Sequence, residues 1–121
     1  MAIGAHPDDI EFGCGGTLLK HVKEGYKIIY VCMTGSESVD GTVKGEKIIR
    51  SSKQLHDELE EACKRLKVAK CYILNNIDLH LEFNFENISA LEKLIKRHKP
   101  SIVYTHWAGD ANQDHIATFK I

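Results

Sequence analysis

Apolar residues fall along the chain in short blocks, separated by stretches in which they recur every three or four positions. Residues 1–5 form a short apolar block that reads as a buried strand. After Gly15-Gly16-Thr17, the residues Leu18, Leu19 and Val22 stand at near-helical spacing, and Gly25 marks the stop. Residues 27–33 (KIIYVCM) are β-branched and aromatic, as a central strand is. Residues 34–45 are polar and glycine-containing, show no apolar period and read as a long loop. A helical pattern spans 46–67, with Leu55, Leu59, Ala62, Cys63 and Leu66 as its stripe. Residues 70–74 (KCYIL) read as a third strand and 75–85 as irregular. A helix is expected over 86–98, with Ile88, Leu91, Leu94 and Ile95 on one face and Pro100 beyond its end. Residues 101–105 (SIVYT) read as a fourth strand, and 117–121 as the first turn of another helix.

Strands alternating with helices imply parallel pairing and right-handed crossovers. The expected fold is α/β, a Rossmann-like three-layer sandwich with a mainly parallel sheet and strand order 3-2-1-4. In that order the first and fourth strands are neighbours, and ligands bind at the carboxyl ends of the strands beside the switch point.

At 121 residues, 43% hydrophobic and 27% charged, the chain is expected to be one domain, 1–121, with a modest core. It opens inside a strand and closes inside a helix, so the domain reads as incomplete at both ends. The net charge of -1 gives no basic surplus to draw nucleic acid or an anionic membrane. No apolar run reaches the roughly 18 residues of a membrane span, and no secretory leader is evident. A cytoplasmic location is expected. Cys14, Cys32, Cys63 and Cys71 form no Cys-x-x-Cys pair and read as reduced, structural thiols. Cys14 stands apart because it closely follows the polar cluster described next.

Polar clusters sit after the first and fourth strands. One is His6-Pro7-Asp8-Asp9-Ile10-Glu11, and the other runs from His106 to His115 with Trp107, Asp110, Asn112 and Asp114 between. The inferred fold brings these distant segments together. Catalytic zinc takes three ligands from His and carboxylates and leaves a position for water. His6, Asp9 and His115 supply such a set, although it would also accept other divalent ions. Zinc lowers the pKa of its water to about 7, and Asp8 is placed to take the proton. Pro7 stiffens the turn, and Asp114 could orient an imidazole.

Plainer readings stand beside these. Asp8 and Asp9 could cap the following turn. Glu11 reads as a solvated carboxylate or as a group behind the site. Trp107 reads as a sugar platform or as packing, and Asp110 as a histidine partner or a turn cap. His21, His56, His80 and His98 read as surface or structural. Gly13-Cys14-Gly15-Gly16 lacks Gly-x-Gly-x-x-Gly, and no acidic residue closes the second strand, which argues against a dinucleotide. Those glycines are expected to let the backbone pass close to the site.

Ala5-His6-Pro7-Asp8-Asp9-x-Glu11-x-x-x-Gly15-Gly16-Thr17, with the distant Asp114-His115, resembles the PIG-L (LmbE-like) family of deacetylases over nearly the whole chain. The resemblance implies one zinc on His6, Asp9 and His115, and Asp8 as general base and then acid. It implies hydrolysis of the acetamide of an N-acetylglucosamine-type sugar, with Asn112 and Asp114 also catalytic. Asn112 stands where many members carry an oxyanion-stabilising His, a position His106 could support. Arg50, His106, Trp107 and Asp110 are the expected substrate contacts. Arg50 is the nearest candidate for a family arginine, though its offset from Glu58 and Ala62 differs from the usual pattern. The resemblance also implies homo-oligomers, and a sheet ending after four strands leaves an edge that favours self-association. The alternatives are a non-catalytic metal- and sugar-binding domain, or an amidase acting on another N-acyl or thiol-cofactor conjugate.

Overall fold

The computed structural model describes residues 1–35, 38–43 and 46–121, and of 38–43, 47 and 48 the backbone alone. Its elements in chain order are β1 (Ala2–Gly4), α1 (Asp9–Lys23), β2 (Ile29–Thr34), β3 (Ser38–Val43), β4 (Glu46–Arg50), α2 (Ser52–Arg65), β5 (Lys70–Asn76), α3 (Phe85–His98) and α4 (Gln113–Lys120).

The fold is α/β around a parallel sheet of order β5-β2-β1. Every residue of β2 is buried, as suits a central strand covered on both faces. Its alternate side chains sort the core into two halves. Ile29, Val31 and Met33 pack with Leu81, Leu91, Leu94 and Ala117, on the side of α3 and α4. Tyr30 and Cys32 pack with Ile10, Leu18, Leu59, Cys63 and Leu66, on the side of α1 and α2. The expected fourth strand is reduced to one parallel bridge between Ala2 and Tyr104. Ile3 N donates to Tyr104 O, and Tyr104 N to Met1 O, both at 2.9 Å. That contact carries residues 105 and 106 to the carboxyl end of β1.

Three elements differ from the sequence expectation. Within the expected loop 34–45, β3 pairs antiparallel with β4, with Val39 opposite Ile49 and Val43 opposite Glu46. A register shift between Val39 and Gly41 breaks the alternation that would have marked a strand. Residues 36, 37, 44 and 45 of that loop lie outside the described residues. The helix expected from 46 begins at Ser52. Ser51 Oγ accepts from Gln54 N while Gln54 Oε1 accepts from Ser51 N, a reciprocal cap that sets the start. The first helix begins at Asp9 rather than near Thr17, so Gly13, Gly15 and Gly16 lie inside it. Close approach is needed at Gly4 instead. A Cβ there would stand 3.0 Å from Ile10 Cγ1 and 3.2 Å from Asp9 Cβ, tighter than ordinary contact, so glycine eases the close approach of the first turn of α1 to β1. Among the described residues no helix is long and apolar enough to cross a membrane.

Candidate functional site

The turn between β1 and α1 places His6 and Asp9 side by side. Asp9 Oδ2 accepts from His6 N at 2.7 Å and lies 3.3 Å from His6 Nδ1. The first turn of α4 brings in His115, because Asn112 caps that helix and accepts from Asp114 N at 2.8 Å and His115 N at 3.4 Å. His115 Nε2 stands 3.2 Å from Asp9 Oδ1 and 3.3 Å from His6 Nδ1. Asp9 thus meets the two imidazoles through different oxygens, Oδ2 towards His6 and Oδ1 towards His115, and the three side chains offer one donor atom each within 4.8 Å of one another. Imidazole and carboxylate ligands about 2.0–2.1 Å from a tetrahedral ion are separated from each other by about 3.3–3.4 Å. The triad could hold such a metal.

Each imidazole has a carboxylate on its far nitrogen. His115 Nδ1 pairs with Asp110 Oδ2 at 3.0 Å. His6 Nε2 lies 3.2 Å from Asp114 Oδ2 and 3.0 Å from Asp78 Oδ1. Donation of those N–H groups leaves the lone pairs of His6 Nδ1 and His115 Nε2 turned towards the shared point. His106 supports the triad from behind. Its ring stacks on His115 with centroids 3.8 Å apart, and its Nε2 accepts from Ala5 N at 2.9 Å.

Burial works against the charged form of both His6 and Asp9, but their contacts outweigh it. Bonding to Asp9 and Asp114 raises His6 to about 9. Bonding to the His6 ring and backbone N–H holds the Asp9 carboxyl far below the usual carboxylate range. A metal on His6 Nδ1 must displace that proton. Apparent metal affinity should therefore rise about tenfold per pH unit from neutral pH up to about 9 and then level off, with one proton released per ion. Chelator-competition titrations across this range test it, and a flat response below 9 would mean that metal binding displaces no proton from His6.

Beside the triad lies a cavity of about 520 Å³, lined by residues that include His6, Asp8, Phe12, Arg50, Asp78, Leu79 and Asn112. Asp8 is exposed at the N-cap position of α1, and its carboxylate makes no capping hydrogen bond. Arg50 reaches the cavity from β4, with Nη1 donating to Glu58 Oε2 at 2.9 Å, and Glu58 also lines the wall. His106, Trp107 and Asp110, expected as substrate contacts, are not among the residues that line this cavity. His106 and Asp110 are turned to His115, and Trp107 is 73% exposed with its ring against Gly109. Asp114 bonds His6, not the adjacent His115.

Asp78, Phe12 and Leu79 escaped the sequence reading. Asp78 lies in a stretch without periodicity. Its one signal was a carboxylate between Ile77 and Leu79 just past the carboxyl end of a strand, where ligands of parallel sheets sit.

The chain matches the family model described as PIG-L, GlcNAc-PI de-N-acetylase, over residues 1–121. It is 39% identical to the uncharacterized deacetylase YaiS of Escherichia coli, across 99% of this chain and 63% of that protein. It is 29% identical to a probable N-acetyl-alpha-D-glucosaminyl L-malate deacetylase 2 of Bacillus subtilis, across 97% of this chain and 55% of that protein. The structure of N,N'-diacetylchitobiose deacetylase from Pyrococcus horikoshii superposes with a TM-score of 0.78 at 30% identity, covering 97% of this chain and 45% of that one. The chain thus spans about half to two-thirds of the length of these relatives.

Proposed function

This chain belongs to the PIG-L family, and from that premise we propose that it is a zinc-dependent hydrolase removing acetate from an N-acetylated amino sugar. The observation that supports this most is the triad of His6, Asp9 and His115, with one donor atom from each within 4.8 Å of the others, beside a cavity that Asp8 also lines. Deacetylase relatives acting on N-acetylglucosaminyl malate and diacetylchitobiose support the substrate class.

When bound, zinc supplies Lewis acidity, polarising a carbonyl and making water acidic enough to attack near neutral pH. The chain supplies the rest. Asp8 accepts a proton from the attacking water and returns it to the departing amine. Asn112 spends its Oδ1 on the α4 cap, which leaves its Nδ2 hydrogens to face the cavity and a developing oxyanion. Asp110, Asp114 and Asp78 keep the two imidazoles in the tautomers a metal needs. Arg50 and Glu58 offer polar contacts at the cavity wall. The reading includes the strand order 3-2-1-4, supported by the bridge from Tyr104 to Ala2. It also includes a reducing, cytoplasmic setting, in keeping with four free thiols.

The test is release of free amine from N-acetylglucosamine derivatives with and without added zinc, alongside the metal content of His6→Ala and His115→Ala. Zinc-stimulated release is expected, and each substitution should reduce bound metal to background. Bound metal with no release from any derivative would favour a non-catalytic binding domain.

A further inference from the structure

The apolar part of the cavity wall is unusual in how exposed it is. Phe12 is 87% exposed and Leu79 is 56% exposed, yet both line the same cavity as His6. Phe12 stands one turn into α1, on the face that also presents Asp8 and Glu11, at the i, i+3, i+4 spacing of helix neighbours. Leu79 is held in the wall by its backbone. It adopts a left-handed conformation with φ 63, and its N–H donates to the buried Asp114 Oδ2 at 2.8 Å. Neighbouring Asp78 contacts His6 at 3.0 Å, so the Leu79 wall is fixed to the same imidazole that the triad uses.

We propose that Phe12, with Leu79, is a specificity-determining residue that selects amino-sugar substrates carrying a second ring with a non-polar face. The inference rests on the hydrolase reading above and adds the substrate feature that the cavity rewards. Among the described residues lining the cavity, Phe12 is the one large aromatic. An aromatic face left to solvent at the mouth of a cleft gains from covering a flat C–H surface, whether a phenyl group or the face of a second pyranose. The cavity of about 520 Å³ has room beyond a single sugar ring. Trp107, the aromatic that the sequence offered for stacking, lies outside this wall.

The test compares three probes on the zinc-loaded protein: N-acetylglucosamine, its phenyl β-glycoside, and the β1,4-linked disaccharide. Kinetics are paired with calorimetric binding of the corresponding free amines, which cannot turn over. The parent should prefer one or both ringed probes at least tenfold over the monosaccharide, about 1.4 kcal/mol. Phe12→Ala should collapse that ratio towards one through KM rather than kcat, and Phe12→Trp should retain it. Preference for the phenyl probe alone identifies an aromatic aglycone, and preference for both identifies any non-polar ring face. An absent preference, or one that survives Phe12→Ala, overturns the proposal. Ring preference in binding without amine release sinks the hydrolase reading alone. Amine release without ring preference sinks this inference alone.

Discussion

Replacing Asp8 by Asn should leave metal content and melting temperature unchanged while lowering kcat by about 10²–10⁴, the usual contribution of a positioned general base. The local geometry separates these effects. Asp8 occupies the N-cap position of α1, where a carboxylate ordinarily gains about 1 kcal/mol by accepting from the helix amides. Here it makes no such bond. It stays exposed and lines the cavity beside His6 and Asn112. A side chain that forgoes its cap is free for another task, and its loss removes no contact that holds the helix. Asp8 is also outside the donor group of His6, Asp9 and His115, so the amide has no reason to release metal. Metal analysis and single-turnover amine release on the same preparation decide the matter. Unchanged turnover removes Asp8 from the proton transfer, and a parallel loss of metal makes it a ligand instead.

The central sheet and the triad were legible because each rests on a strong local pattern. An apolar block such as 27–33 has few places to go but a buried strand, and β2 is buried throughout. His6 and Asp9 follow β1 directly, and His115 follows the segment that bridges to it, so the order of strands alone brings them together. What stayed hidden depended on side-chain direction or on local breaks in pattern. The β3–β4 hairpin was masked by its register shift at Gly41. Neither loop composition nor spacing says which way a ring or carboxylate turns. Thus Asp110 read both as a substrate contact and as a histidine partner and His106 as a substrate contact, and in the structure both face His115. Arg50, whose offset from Glu58 and Ala62 differs from the usual family pattern, reaches the cavity from β4 and not from the helix expected there.

Replacing Asp114 by Ala should cost about 3 kcal/mol or more in stability and lower metal affinity about 10–100-fold, the largest structural effect of any change near the site. Asp114 is fully buried. Its Oδ2 accepts from Leu79 N at 2.8 Å and lies 3.2 Å from His6 Nε2, while Oδ1 accepts from Leu81 N at 3.3 Å. Removal strands the Leu81 N–H in the interior and takes the acceptor from the Leu79 N–H at the cavity wall, at about 1–3 kcal/mol each where water cannot replace it, while His6 Nε2 keeps Asp78 Oδ1 at 3.0 Å. Leu79 then loses the bond that holds its left-handed backbone, so the cavity wall loosens along with the ligand histidine. Asn restores shape but turns an N–H₂ group towards one of these donors, so it should recover only part of the loss. Asp110→Ala supplies the contrast. Asp110 orients His115 from a more exposed position, so its removal should weaken metal binding with a stability change within about 1 kcal/mol. Thermal melts should show Asp114→Ala lower by about 10–15 °C. Amide exchange at Leu79 and Leu81 should accelerate in that variant and not in Asp110→Ala. Equal melting temperatures for the two variants would mean that Asp114 is not the joint between loop and metal site.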